Sequence, residues 1–279
     1  MKKPILKHFI TALLLVLAGC VIANAATVDT ALTYSNAMHR NIKAVVIKPD
    51  NYDSDNRYPT LYLLHGFSGN YTDWITKVPA IKKLADQYHV IIVCPDGAFA
   101  GWYLNSPVNK DLRYETYVAV ELVNWIDKHY NTITDPSERA ITGLSMGGHG
   151  ALYLAIKHQD VFGAAGSMSG IVDLSPFSES FGIDQVLGKY NTNRENWEQS
   201  SVVNLIGLIN TKSLAITFDV GVDDFSYKVN LNLHEKLTEK KIPHDFTVRP
   251  GAHTWEYWSN SINYQMLYFS RFFNKSIKN

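Results

Sequence analysis

Seven short β-branched or apolar runs, most of them closed by a glycine, limit what this chain can fold into more than any other feature. They read KAVVIKP, TLYLLHG, VIIVCPDG, RAITG, GAAGSMSG, LAITFDVG and DFTVRPG, with longer amphipathic stretches at roughly 114–130, 146–158, 226–240 and 255–273. Strands alternating with helices in this way predict an α/β fold with a mostly parallel central sheet and helices on both faces. The last helix is the plainest, because Trp258, Ile262, Met266, Phe269 and Phe273 recur at helical spacing and form one apolar stripe for the sheet. In an open parallel sheet ligands bind outside the carboxyl ends of the strands, so the terminal glycines mark where the backbone turns sharply beside a ligand. No repeat or low-complexity linker divides the chain, and residues 26–279 read as one domain. Residues 171–207, with SPFSES and NTNRENWEQSS, are polar and poorly periodic and read as an insertion over the strand ends.

The run RAITG leads directly into GLSMG, Gly143 to Gly147. By composition alone such a G-x-S-x-G pentapeptide arises in roughly one chain in ten of this length. Its place between an expected strand and an expected helix is more informative, because a nucleophile elbow needs that context. Glycines two positions to either side let strand and helix pass closely, and the turn lifts the Ser145 hydroxyl above the sheet.

A serine hydroxyl is a weak nucleophile at neutral pH, so a base must take its proton and an acid must orient that base. After the elbow, LAITFDVG runs into VDDF and DFTVRPG runs into AHTW. Both exits fall on the sheet edge that holds Ser145, which offers Asp224 or Asp223 as the acid and His253 as the base. The order Ser, Asp, His is the one this kind of site uses. Taken singly, His253 also fits a helix start and Asp224 an N-cap. His149 and His158 fall on the helix after the elbow and His244 precedes a strand, so none is as well placed. A tetrahedral intermediate needs two donors for its oxyanion. The Met146 N–H follows the nucleophile, and the loop in LLHGFSGN supplies the Phe67 N–H, with His65 pinning that loop. No HExxH pattern or Cys/His ligand spacing calls for a metal, and no cofactor is expected.

The chain has 26 Lys and Arg against 26 Asp and Glu and no long run of one sign, which gives no reason to expect nucleic acid as a partner. Sixteen Tyr and six Trp are enough for a cleft that stacks on rings or sugar faces. The segment MKKPILKHFITALLLVLAGCVIANA is basic, then apolar, and ends in small residues, so residues 1–25 read as a secretory signal. It allows two processing routes. LAGC resembles a lipobox that would lipidate Cys20 and tether the protein to a membrane, and Ala23 and Ala25 form an A-x-A site. Cys94 is left as a buried strand residue, with no intrachain disulfide expected.

YPTLYLLHGFSGNYTDW, CPDGAFAGWYLNS, YETYVAVELVNWI, RAITGLSMGGHGALYLA, GVDDF and GAHTWEYW together resemble the esterase D-type family of α/β-hydrolases, over nearly the whole stretch from Ala31 to Phe273. That group includes S-formylglutathione hydrolases, feruloyl and acetyl esterases, and mycolyltransferases. The resemblance implies a Ser145–Asp224–His253 triad, with Asp224 preferred over Asp223, and an oxyanion hole from Phe67 and Met146. It also implies that GWYLNS borders the substrate pocket, which makes Trp102 and Tyr103 binding candidates. The export signal argues against a cytosolic S-formylglutathione hydrolase. The expectation is an exported, periplasmic or membrane-anchored bacterial serine esterase acting through an acyl-enzyme on feruloyl or acetyl esters of plant polysaccharide or related small esters. Acyl transfer by the same triad and a non-catalytic glycan-binding lipoprotein are the alternatives.

Overall fold

The structure, a computed structural model, describes residues 26–50 and 52–276, and the secretory signal, the lipobox at Cys20 and the A-x-A site expected in residues 1–25 lie outside the described residues. Among the described residues eight strands form one sheet: β1 (Thr27–Ser35), β2 (Arg40–Lys48), β3 (Thr60–Leu64), β4 (Ile91–Pro95), β5 (Arg139–Gly143), β6 (Ala164–Met168), β7 (Ala215–Gly221) and β8 (Asp245–Arg249). Their order across the sheet is β1-β2-β4-β3-β5-β6-β7-β8. β1 and β2 are antiparallel to their neighbours, whereas β4, β3, β5, β6, β7 and β8 run parallel. This is the mostly parallel α/β-hydrolase sheet expected from the sequence.

The central strands are continuous apolar runs because both faces are covered. Along β3 the side chains alternate: Leu61 and Leu63 enter one core layer, and Tyr62 and Leu64 enter the other. Helices α1 (Asp73–Lys77), α2 (Ile81–Tyr88) and the last helix cover the first face. Helix α3 (Met146–Lys157), helix α4 (Tyr227–Glu239) and the helical run 114–129 cover the second. The stripe Trp258, Ile262, Met266, Phe269 and Phe273 on α5 (Trp255–Ser276) is buried as its spacing requires, each such side chain contributing about 1.5–3 kcal/mol.

Three features differ from the sequence reading. β1 was not expected, because its buried face carries Ala31, Thr33 and Ser35, and the polar pair is satisfied by the Tyr117 hydroxyl and the Glu121 carboxylate. α1 and α2 were also missed, being five and eight residues long and too short for a clear period. Residues 171–207 fold into short helical turns whose Ile183, Val186, Leu187 and Trp197 are buried. The segment thus packs apolar residues that its polar composition does not announce.

Parallel registry is what assembles the site. Leu64 pairs with Gly143, Met168 with Asp219, and Gly221 with Arg249. The strands thus end along one edge, and the loops that follow β3, β5, β7 and β8 carry Phe67, Ser145, Asp224 and His253 respectively.

Candidate active site

Ser145 sits between β5 and α3 with φ 54° and ψ −117°, a conformation that a side chain rarely adopts. The turn is held by the Ser145 N–H donating to Met168 O at 2.9 Å and the Gly147 N–H donating to Leu144 O at 2.7 Å. The two flanking glycines are required by contact. A Cβ on Gly143 would lie 2.6 Å from the Gly147 carbonyl carbon, and one on Gly147 would lie 2.5 Å from His65 O and 2.6 Å from Leu64 O. Backbone meets backbone at both points, so no side chain could move aside.

The structure brings the three residues proposed for the triad into one hydrogen-bonded chain. The Ser145 hydroxyl donates to His253 Nε2 at 2.8 Å, and His253 Nδ1–H points at both oxygens of Asp224, each 2.9 Å away. Asp224 is 4% exposed, whereas Asp223 is exposed and, among the described residues, engages only through its backbone N–H, which donates to Gly251 O. Burial pushes the Asp224 carboxyl up, but hydrogen bonds from His253, the charge of that ring when protonated, and donors from Ser226 outweigh it and hold the group below the ordinary carboxylate value. The imidazole is wedged between rings, with Phe225 at 4.2 Å and Trp258 at 4.9 Å between centroids.

Phe67 follows Gly66, whose Cβ position would be 3.5 Å from Ser145 Cβ, so the loop after β3 runs alongside the nucleophile. Among the described residues neither the Phe67 N–H nor the Met146 N–H donates to a backbone carbonyl, and both are free for an oxyanion. His65 is buried and pins the loop. It accepts the Gly97 N–H at Nε2 (2.7 Å) and donates from Nδ1 to Gly66 O (2.8 Å), and burial holds its pKa below the usual imidazole value. His149 is equally buried, donating to Ser200 O, with its pKa pressed down to about 4 by the loss of water.

Trp102 and Tyr103 are not where the sequence reading put them. Both are at most 1% exposed and neither lines the cleft. Their aromatic bodies are core, and their polar ends hold the walls: Trp102 Nε1 donates to Phe181 O at 3.1 Å and the Tyr103 hydroxyl to His65 O at 3.1 Å. The cleft, of about 610 Å³, is instead bordered beside Ser145 and His253 by Phe67, Phe181, Phe225 and Trp255, with Asp73 and Lys77 from α1.

Two further groups support the triad from behind. The Ser226 N–H and hydroxyl both donate to Asp224 Oδ1, at 2.8 and 2.7 Å, a short-range turn that the DFS tripeptide hints at. Asp219 on β7 accepts from the Tyr257 hydroxyl (2.8 Å), Ser261 Oγ (2.6 Å) and Gln265 Nε2 (2.9 Å), and burial raises its pKa in spite of them. Those three donors recur every fourth residue beside the apolar stripe of α5, so the helix that follows His253 is tied to the strand that precedes Asp224.

Comparison with known proteins agrees with this geometry. The Esterase family model matches residues 35–269. An esterase of Mycobacterium tuberculosis is 31% identical over 241 residues, a match covering 75% of this chain and 52% of the relative, so the chain spans about half that relative's length. An acetyl esterase of Caldicellulosiruptor saccharolyticus is 27% identical over 255 residues, covering 82% of this chain and 92% of the relative. The solved structure of a ferulic acid esterase superposes with a TM-score of 0.77 at 28% identity, over 89% of this chain and 98% of that one.

Proposed function

We infer the function from one premise: this chain belongs to the Esterase family. We propose that it is a serine carboxylic-ester hydrolase that works through an acyl-enzyme on Ser145. The observation that carries the reading is the hydrogen-bonded chain Ser145–His253–Asp224 beside two undonated N–H groups. As Ser145 Oγ attacks the ester carbonyl, His253 Nε2 takes its proton, and the carbonyl oxygen becomes an oxyanion facing the N–H groups of Phe67 and Met146. Asp224 stabilises the imidazolium. The C–O bond to the alcohol then breaks, and the departing oxygen takes the proton from His253. Water repeats the sequence on the acyl-enzyme, the acid leaves, and Ser145 regains its proton. An intact triad weighs against a non-catalytic scaffold.

For the substrate we propose feruloyl or acetyl esters of plant polysaccharide. The support is a wall of phenylalanines beside the nucleophile. Phe67 packs on Phe99 at 4.8 Å and on Phe181 at 5.6 Å, and Phe225 packs on Phe177 and on Phe181 at 5.8 Å each. These rings offer an apolar, flat surface suited to an aromatic acyl group. The names of the acetyl and ferulic acid esterases among the similar proteins point the same way. We further propose export, on the basic-then-apolar character of residues 1–25.

The test is hydrolysis of methyl ferulate, acetylated xylan and 4-nitrophenyl acetate, butyrate and octanoate by wild type and Ser145→Ala. Activity on the ferulate and xylan esters that disappears in the variant supports the reading. A preference for octanoate with neither sugar-linked nor feruloyl ester cleaved sinks the substrate assignment, and activity that survives Ser145→Ala sinks the mechanism.

A further inference from the structure

The cleft has a second wall of different chemistry. Besides the phenylalanines the cleft is lined by Trp255 and Trp258, which stand edge to face at 5.4 Å, with Trp74 packed behind Trp255 at 5.4 Å and Trp258 against His253 at 4.9 Å. Trp74 and Trp258 are buried, and their indole N–H groups are bound internally, to Leu64 O and Ser169 Oγ. Trp255 differs. It is half-buried, lines the cleft, and its indole N–H has no partner among the described residues.

Beside it α1 presents Asp73 and Lys77, both lining the cleft. Four residues apart on one helix, an acid followed by a base can pair. Here they do not. Among the described residues Asp73 takes only the long 3.3 Å bonds from the Asn70 N–H and side-chain amide, and Lys77 Nζ has no ion-pair or hydrogen-bond partner.

We propose that Asp73, Lys77 and Trp255 form a pyranose subsite that holds the sugar bearing the ester, while the phenylalanine wall takes the acyl group. This rests on the ester-hydrolase reading above and assigns the alcohol half of the substrate. An indole face packs on the C–H face of a pyranose, the ammonium donates to hydroxyl oxygens, and the carboxylate accepts hydroxyl protons. A neutral sugar uses both charged groups, whereas an anionic ligand would meet the Asp73 carboxylate. The phenylalanine wall has no side-chain donor or acceptor and cannot serve a sugar in this way.

The experiment is binding rather than turnover, so that it reads the subsite alone. Ser145→Ala is titrated calorimetrically with xylotriose and cellotriose, followed by the same protein carrying Lys77→Met or Trp255→Leu. The expected result is saturable binding of at least one trisaccharide, weakened about tenfold or more by each added substitution, with near-ultraviolet circular dichroism reporting an intact fold. If Trp255→Leu fails to fold, Lys77→Met carries the comparison. No binding of either sugar, or binding that both substitutions leave unchanged, overturns the subsite. Reaction of wild type with a fluorophosphonate reports separately on Ser145, so failure of the ester-hydrolase reading cannot be mistaken for failure of the subsite.

Discussion

Between Gly143 and Gly147 five residues are fixed by backbone meeting backbone, with the Leu64 and His65 carbonyls on one side and Met168 O on the other. Residues 171–207 reach the same cleft at Phe181 and, beside backbone bonds such as Val203 N–H to Val172 O, are held by side chains: Trp197 Nε1 on Gly188 O, Trp102 Nε1 on Phe181 O, and the rings of Phe177 and Phe181 against Phe225. The first region tolerates almost no change because neither neighbour can move. The second answers to side chains, and it meets the helix after the elbow where His149 Nε2 donates to Ser200 O. The reacting groups thus sit on the frame that backbone contact defines, and the cleft wall at Phe181 on the part that side chains define.

Substitutions in the frame should remove the reaction whatever the substrate, and the largest such effect short of losing the nucleophile is expected for Asp224→Asn. It should lower kcat by about 10⁴ with methyl ferulate and 4-nitrophenyl acetate alike, because the imidazole loses both its orientation and the charge that stabilises its protonated form. Unequal losses on the two esters would blur the distinction. Gly147→Ala places a methyl group against two fixed carbonyls and should destabilise by about 3 kcal/mol, read as a fall in thermal midpoint. A variant of unchanged stability would mean that the elbow can relax.

Phe181→Ala tests the other region. Its ring leaves the phenylalanine wall, and the ratio of kcat/KM for methyl ferulate to that for 4-nitrophenyl acetate should fall about tenfold with stability little changed. A uniform loss on both esters would place Phe181 in the frame instead. The smallest effect is expected outside both regions. Glu115 accepts from Lys157 (2.8 Å), His158 (3.2 Å) and Tyr153 (3.1 Å), and although burial acts to raise its pKa, those partners bring it down to about 2. A carboxyl lowered by folding stabilises above its unfolded value, here 4.5, and loses that contribution as pH falls from there toward 2. Glu115→Gln should cost about 1–2 kcal/mol at pH 7, allowing for solvent screening, and the gap from wild type in urea melts should narrow below pH 4.5 and close only near pH 2. The substrate ratio should not move.

The same division decided how much could be read from the sequence. Frame residues declare themselves because backbone contact demands particular residue types: only glycine fits at 143 and 147, and strand ends place Ser145, Asp224 and His253 in a recognisable order. The apolar stripe of α5 was legible for a similar reason, since one continuous sheet face selects it. β1 was not, because its inward Thr33 and Ser35 answer to Tyr117 and Glu121, which lie more than eighty positions away. Trp102 and Tyr103 were located in the right loop but given the wrong task. An aromatic residue in a motif does not say whether its face or only its polar end serves the site, and here burial leaves only the polar ends to do so. The cleft walls were illegible for want of any spacing rule that joins α1, residues 177–181 and Phe225.

The central claim is that Ser145 is an activated nucleophile in a working triad, and covalent labelling tests it most directly. Wild type is treated with a fluorophosphonate, the adduct is counted by intact mass, and the site is mapped by peptide sequencing beside Ser145→Ala and His253→Ala. The expected result is one label per chain, on Ser145, absent in Ser145→Ala and slowed by several orders of magnitude in His253→Ala. A wild-type chain that stays unlabelled, or one labelled at another residue, would contradict it.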